Sequence, residues 1–159
     1  MALKVLLVCS GNTCRSSMAE ALLKRLASSP GAPEVEVKSA GVAAADGLPA
    51  SPHAVSVMRE RGINLADHRS RRLSADLVEW ADIVLTMTES QKSRVASVFG
   101  GGSKVFTLNE YAFPGAGRAE IEDPWGRPVE TYDRVARDIE TALAAALERM
   151  RREAAKEGG

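Results

Sequence analysis

Cys9 and Arg15 bracket a short polar loop, Cys9-Ser10-Gly11-Asn12-Thr13-Cys14-Arg15-Ser16, and their side chains carry the most legible chemistry of the chain. A thiol is a strong nucleophile as its anion, and nearby cations and helix N-termini favour that anion. A guanidinium presents a planar fork that grips a tetrahedral oxyanion through two parallel hydrogen bonds. Together they suit attack on phosphorus, with the phosphoryl group passing through a covalent cysteinyl phosphate. A third candidate is Asp123, followed by Pro124 and Trp125. The proline biases Asp123 toward extended backbone, on a loop that can lean over a cleft. From the residues alone it is either a proton donor or a turn opener, with Glu122 beside it.

Such a loop needs elements on both sides to aim it. The apolar run from Leu3 to Val8 precedes it as a strand, and Met18, Ala21, Leu22 and Leu26 follow with helical spacing. Strand, tight loop and helix point backbone N–H groups at an anion, with the positive end of the helix dipole behind them. Further on, residues 34–42 alternate polar and apolar as an edge strand would. Ser51-Pro52 predicts an N-cap with proline in the first turn, and Gly62 a stop. Leu77, Val78 and Trp80 form a short helical turn before a strand over 82–87. Thr88 to Gln91 has capping-box spacing for a helix ending at Gly100. The glycines at 100–102 predict a flexible turn into a strand over 104–108. Val129, Tyr132, Val135, Ile139, Leu143, Ala146, Leu147 and Met150 then line one face of a last helix. This alternation predicts an α/β fold: a three-layer α/β/α sandwich on a four-stranded, mainly parallel sheet. The phosphate-binding loop lies between the first strand and first helix, at the strand end where such folds bind ligands.

The 159 residues suit a single domain, with residues 148–159 a fraying helical tail. Lys plus Arg and Asp plus Glu both number 21, so no overall field recruits nucleic acid or an anionic membrane. No run of about 18 apolar residues occurs, and cytoplasmic location is the expectation. Both cysteines, Cys9 and Cys14, lie in the one loop, which is neither a secreted disulfide framework nor a zinc site. Cys14 reads either as loop packing or as a redox partner of Cys9. His53 reads as surface.

The loop, its place after the first strand, Ser16 after Arg15, and Asp123-Pro124 before the last helix resemble the low-molecular-weight protein tyrosine phosphatase family over essentially the whole chain. The resemblance implies Cys9 as nucleophile, Arg15 as phosphate ligand and Asp123 as the acid that protonates the leaving group. It implies that residues 10–16 (Ser10, Gly11, Asn12, Thr13, Cys14, Arg15 and Ser16) bind phosphate, and that Ser16 supports the sulfur. Asn12, Ser39 and His68 brace the loop in this reading. Trp125 either packs the last helix or, from its place beside Asp123, walls the cleft. No metal or cofactor is expected, because the cradle carries its own positive charge. Phosphorylated proteins are the expected substrates and inorganic phosphate the product and inhibitor, with the chain a monomer.

Thr13 divides the family. Tyrosine-specific members usually carry an aliphatic residue there, and a threonine resembles the protein-arginine phosphatase branch. The segment Asp123-Pro124-Trp125-Gly126 points the same way, lacking the paired aromatics that follow Asp-Pro in tyrosine-specific members. Ser17 departs from that branch, where proline often follows Arg-Ser, and should affect the helix start more than the cradle. Phosphoarginine hydrolysis is the expectation, with phosphotyrosine the alternative. Arsenate reductases share the fold and loop but relay oxidation through later cysteines, and none follows Cys14. A phosphoryl carrier would have little use for Arg15 together with Asp123.

Overall fold

The residues from Val5 to Val8 are wholly buried although their side chains alternate between two faces, the mark of a central strand covered on both sides. In the computed structural model, which describes residues 2–117 and 119–158, this strand is β1 (Leu3–Cys9). The chain continues through α1 (Arg15–Ala27), β2 (Val35–Gly41), α2 (Pro52–Glu60), α3 (Ala75–Trp80), β3 (Ile83–Thr86) and α4 (Glu89–Phe99). It ends with β4 (Val105–Thr107), α5 (Leu108–Ala112) and α6 (Val129–Gly158). The four strands run parallel in the order β2-β1-β3-β4. From β1 the chain goes to β2 on one side and then to β3 on the other. The switch point therefore lies at the carboxyl end of β1, where Cys9 begins its loop.

Val5 and Leu7 face a core shared with Met18, Leu22 and Leu23 of α1, Val57 and Met58 of α2, and Val135, Ile139 and Leu143 of α6. Leu6 and Val8 face a second core built from Leu77 and Val78 of α3, Val95 of α4, and Val84 and Val105. Two cores on one sheet give the three layers expected. Among the described residues no helix is long and apolar enough to cross a membrane.

Local signals explain most element ends. Gly62, at φ 74°, closes α2: its N–H reaches the Arg59 carbonyl while the Ile63 N–H reaches that of Met58, a Schellman ending. Thr88 and Gln91 form the capping box of α4 reciprocally. Ser51 does precede α2 with Pro52 in its first turn, but its hydroxyl makes no cap bond.

One segment differs from expectation. The glycine run leads into a 3-10 turn, Gly102–Lys104, and the strand after it is only Val105–Thr107. Leu108 instead opens α5, because Thr107 and Glu110 make a second capping box that ends the strand and starts a helix. The tail continues α6 as helix to Gly158, and residues 151–157 of it are exposed.

Candidate active site

At the end of β1 the backbone turns sharply, and Asn12 makes that turn. It adopts φ 59°, the left-handed region that asparagine tolerates better than most side chains. Its N–H then points back to the Cys9 sulfur at 3.3 Å. Ser16 Oγ, in the first turn of α1, lies 2.9 Å from the same sulfur. Cys9 is 3% exposed, so these two groups and the start of α1 form most of its surroundings. The Asn12 N–H and the positive end of α1 converge there on the sulfur.

The Asn12 side chain, fully buried, is the hub of the loop. Its Nδ2 donates to Ser16 Oγ (2.8 Å) and to Ser39 Oγ (2.9 Å), and its Oδ1 accepts from the Arg71 N–H at 2.9 Å. Its carbonyl accepts from His68 Nε2 at 2.7 Å, which fixes that ring nitrogen as the protonated one. Ser39 in turn donates to the Glu20 carboxylate. Ser39 and His68 thus both bond Asn12.

Arg15 is 5% exposed and held by its Nη1, which donates to the Ile121 carbonyl at 3.0 Å. Its Nη2 lies 3.6 Å from Asp123 Oδ2, across the mouth of the cleft. The Asp123 side chain is 57% exposed, and its Oδ1 accepts from the Trp125 N–H at 3.1 Å, the turn-opening role of an aspartate before proline. The acid and turn-opener readings are compatible, since each uses a different oxygen. A cleft of about 230 Å³ is lined by Cys9, Ser10, Gly11, Thr13, Cys14, Arg15, Asp123 and Trp125. Asn12 and Ser16 lie behind this lining as supports. Trp125 projects into solvent at 73% exposure and forms one rim.

Cys14 lines the cleft, and its thiol finds partners outside the loop. The sulfur lies 3.3 Å from Ser51 Oγ and 3.4 Å from the Tyr132 hydroxyl, in a buried seam between α2 and α6. Both cysteines are free thiols. Burial, and then the bond to Cys14, push the Tyr132 hydroxyl up to about 12. His53, exposed as expected, packs edge-on to the Tyr132 ring at 5.2 Å. The Ser17 hydroxyl donates to the Cys14 carbonyl at 2.8 Å, at the start of α1.

Three further contributors carry no chemical signature in the sequence. Glu20 anchors Ser39. Gly41 lies where β2 passes the loop: an added Cβ would stand 2.4 Å from the Ser10 carbonyl and 3.0 Å from Asn12 N. Gln91 donates from Nε2 to Ser10 Oγ at 3.1 Å. The sequence signal for Gln91 was its capping box, which uses only one end of the carboxamide.

The low molecular weight phosphotyrosine protein phosphatase family matches residues 4–156. A protein-arginine-phosphatase of Geobacillus stearothermophilus is 45% identical over 157 residues, covering 96% of this chain and 99% of that protein. One of Bacillus subtilis strain 168 is 41% identical over 150 residues, covering 94% and 97%. Among solved structures, a cysteine-to-serine mutant of YwlE arginine phosphatase with a phosphorylated active site serine superposes with a TM-score of 0.87. It is 40% identical, with 93% of this chain and 95% of that one covered.

Proposed function

The chain belongs to the low molecular weight phosphotyrosine protein phosphatase family, and from that premise we propose that it hydrolyses phosphoarginine on proteins through a phosphocysteine at Cys9. The Cys9 sulfur attacks phosphorus as the P–N bond breaks. Arg15 and the loop N–H groups take the negative charge of the equatorial oxygens. Asp123 gives a proton to the departing guanidino nitrogen. Its carboxylate then accepts a proton from water as that water attacks phosphorus. The P–S bond breaks, the thiolate returns, and inorganic phosphate leaves. The same cradle makes inorganic phosphate a competitive inhibitor. Substrates in this reading are phosphorylated cytoplasmic proteins, approached by a monomer whose charge is balanced overall.

The observation that carries the arginine assignment is the lining of the cleft. Thr13 offers a hydroxyl and Asp123 a carboxylate to the cleft that Cys9 also lines, and among the described residues no aliphatic side chain lines it. A polar wall pairs with guanidino N–H groups that an aliphatic wall would leave unsatisfied. Relatives named protein-arginine-phosphatase support the same choice. Phosphotyrosine is the second reading, favoured by the exposed ring of Trp125, although that face accepts a guanidinium as well.

Matched phosphoarginine and phosphotyrosine peptides decide between them. The expected result is a kcat/KM at least about tenfold higher on phosphoarginine, narrowed or reversed by Thr13→Ile. A preference for phosphotyrosine, or Thr13→Ile leaving phosphoarginine turnover intact, would overturn the assignment. Cys9→Ser should abolish turnover of both, and Asp123→Asn should lower kcat by about 10²–10⁴.

A further inference from the structure

Gln91 is 4% exposed and stands in the first turn of α4, where its partners fix which way the carboxamide points. Its Oε1 accepts from the N–H of Met87 (2.9 Å) and of Thr88 (3.1 Å), so the oxygen end must face β3. A flipped amide would set its own hydrogens against two donors. The Nε2 end therefore faces the loop and donates to Ser10 Oγ. Ser10 Oγ is an acceptor on that side, which leaves its own hydrogen to point elsewhere. Ser10 lines the cleft with Cys9, Arg15 and Asp123, and its hydroxyl makes no other hydrogen bond among the described residues.

We propose that the Ser10 hydroxyl is a further donor to the phosphoryl oxygens, and that Gln91 is the positioning residue that sets it in that role. The inference rests on reading the Cys9 loop as the phosphoryl site. The donor adds to Arg15 and the loop amides without adding charge. The same carboxamide joins the cradle to the acid loop, because the Met87 carbonyl accepts from Ile121 N–H (3.1 Å) and the Ile121 carbonyl receives Arg15.

Inorganic phosphate is the probe, measured as a competitive inhibitor of aryl phosphate turnover so that the result does not depend on protein substrate preference. S10A should raise its inhibition constant about tenfold, the scale of one hydrogen bond to a charged group. S10T, which keeps the hydroxyl, should stay near wild type. Q91M should match S10A and add little in the S10A background. Q91E keeps an acceptor oxygen for Met87 and Thr88, and so serves where Q91M fails to fold. It draws the Ser10 hydrogen away from the cleft, and should weaken phosphate binding more in the Ser10 background than in S10A.

An S10A constant within twofold of wild type would overturn the inference while leaving the cradle standing. So would equal effects of Q91M or Q91E in both backgrounds, since Gln91 would then act only as a helix cap. A wild-type protein that phosphate does not inhibit would remove the cradle reading and this inference together.

Discussion

Asn12 concentrates more of the site than any reacting group, because its backbone, carbonyl and both side-chain ends are all engaged. Replacing it by alanine leaves the Arg71 N–H without its acceptor and keeps a β-carbon at φ 59°. The expected cost is about 2–3 kcal/mol, combining a part-buried donor left unpaired and the lost side-chain bonds with left-handed strain. Glycine at the same position removes the strain but not the lost bonds, so Asn12→Gly should be about 1 kcal/mol more stable than Asn12→Ala. Urea unfolding of the two variants checks this ordering. Equal stabilities would mean that the left-handed turn costs alanine nothing here. Both variants should lose most of their kcat, since the N–H aimed at Cys9 is then held by backbone alone. The sequence makes this residue visible only in part. Asparagine in a tight polar loop announces a turn, whereas its partners Ser39, His68 and Arg71 lie far along the chain and only the fold brings them in.

At the scale of elements, the site depends on how closely β2 passes the loop that follows β1. The Val42 N–H donates to the Cys9 carbonyl and that of Ala43 to the Ser10 carbonyl, both at 2.9 Å. Gly41 permits this approach, and alanine there would place its Cβ 2.4 Å from the Ser10 carbonyl oxygen and 2.9 Å from Ala44 Cβ. Backbone rather than a flexible side-chain end must give way. Gly41→Ala should therefore lower kcat about 100-fold, as a displacement near 1 Å does, while costing only about 1–3 kcal/mol in stability. Urea unfolding and steady-state kinetics on one preparation test the pairing. Wild-type kcat would show that the loop tolerates the shift. Such close approaches are poorly legible in sequence, where Gly41 reads as the end of an edge strand. Helix signals are legible where no strand-like apolar run overlaps them. Thr88 and Gln91 announce α4, whereas the same pattern at Thr107 and Glu110 straddles the end of an apolar stretch whose composition favours a strand. The parallel sheet itself was legible, since an apolar run between helical patterns leaves few other arrangements.

Across the whole molecule, α6 ties the catalytic end of the sheet to its opposite end, and the two tyrosines of the chain report on both. Tyr132, in the first turns of α6, bonds the Cys14 sulfur beneath the loop. Tyr111 of α5 lies under the Arg149 guanidinium, 4.0 Å from its ring centre, and donates to Glu153. Residues 132 and 149 stand about 25 Å apart along the helix. Burial, then the charge of Glu153, push the Tyr111 hydroxyl up to about 12, where burial and the Cys14 bond also bring Tyr132. In the unfolded chain both would titrate near 10. Between about pH 10 and 12 the native state thus holds more protons than the unfolded one, so stability is intact below pH 10 and falls as pH rises through that window. Tyrosinate absorbance should remain low at pH 10.5, where a denatured sample is largely ionised, and then rise together with the loss of circular dichroism. Tyr132→Phe should make the stability profile shallower without abolishing that coincidence, because Tyr111 reports the far end of the same helix. Tyrosinate appearing with a midpoint near 10 in protein that retains its circular dichroism would show that one end of α6 opens independently of the other.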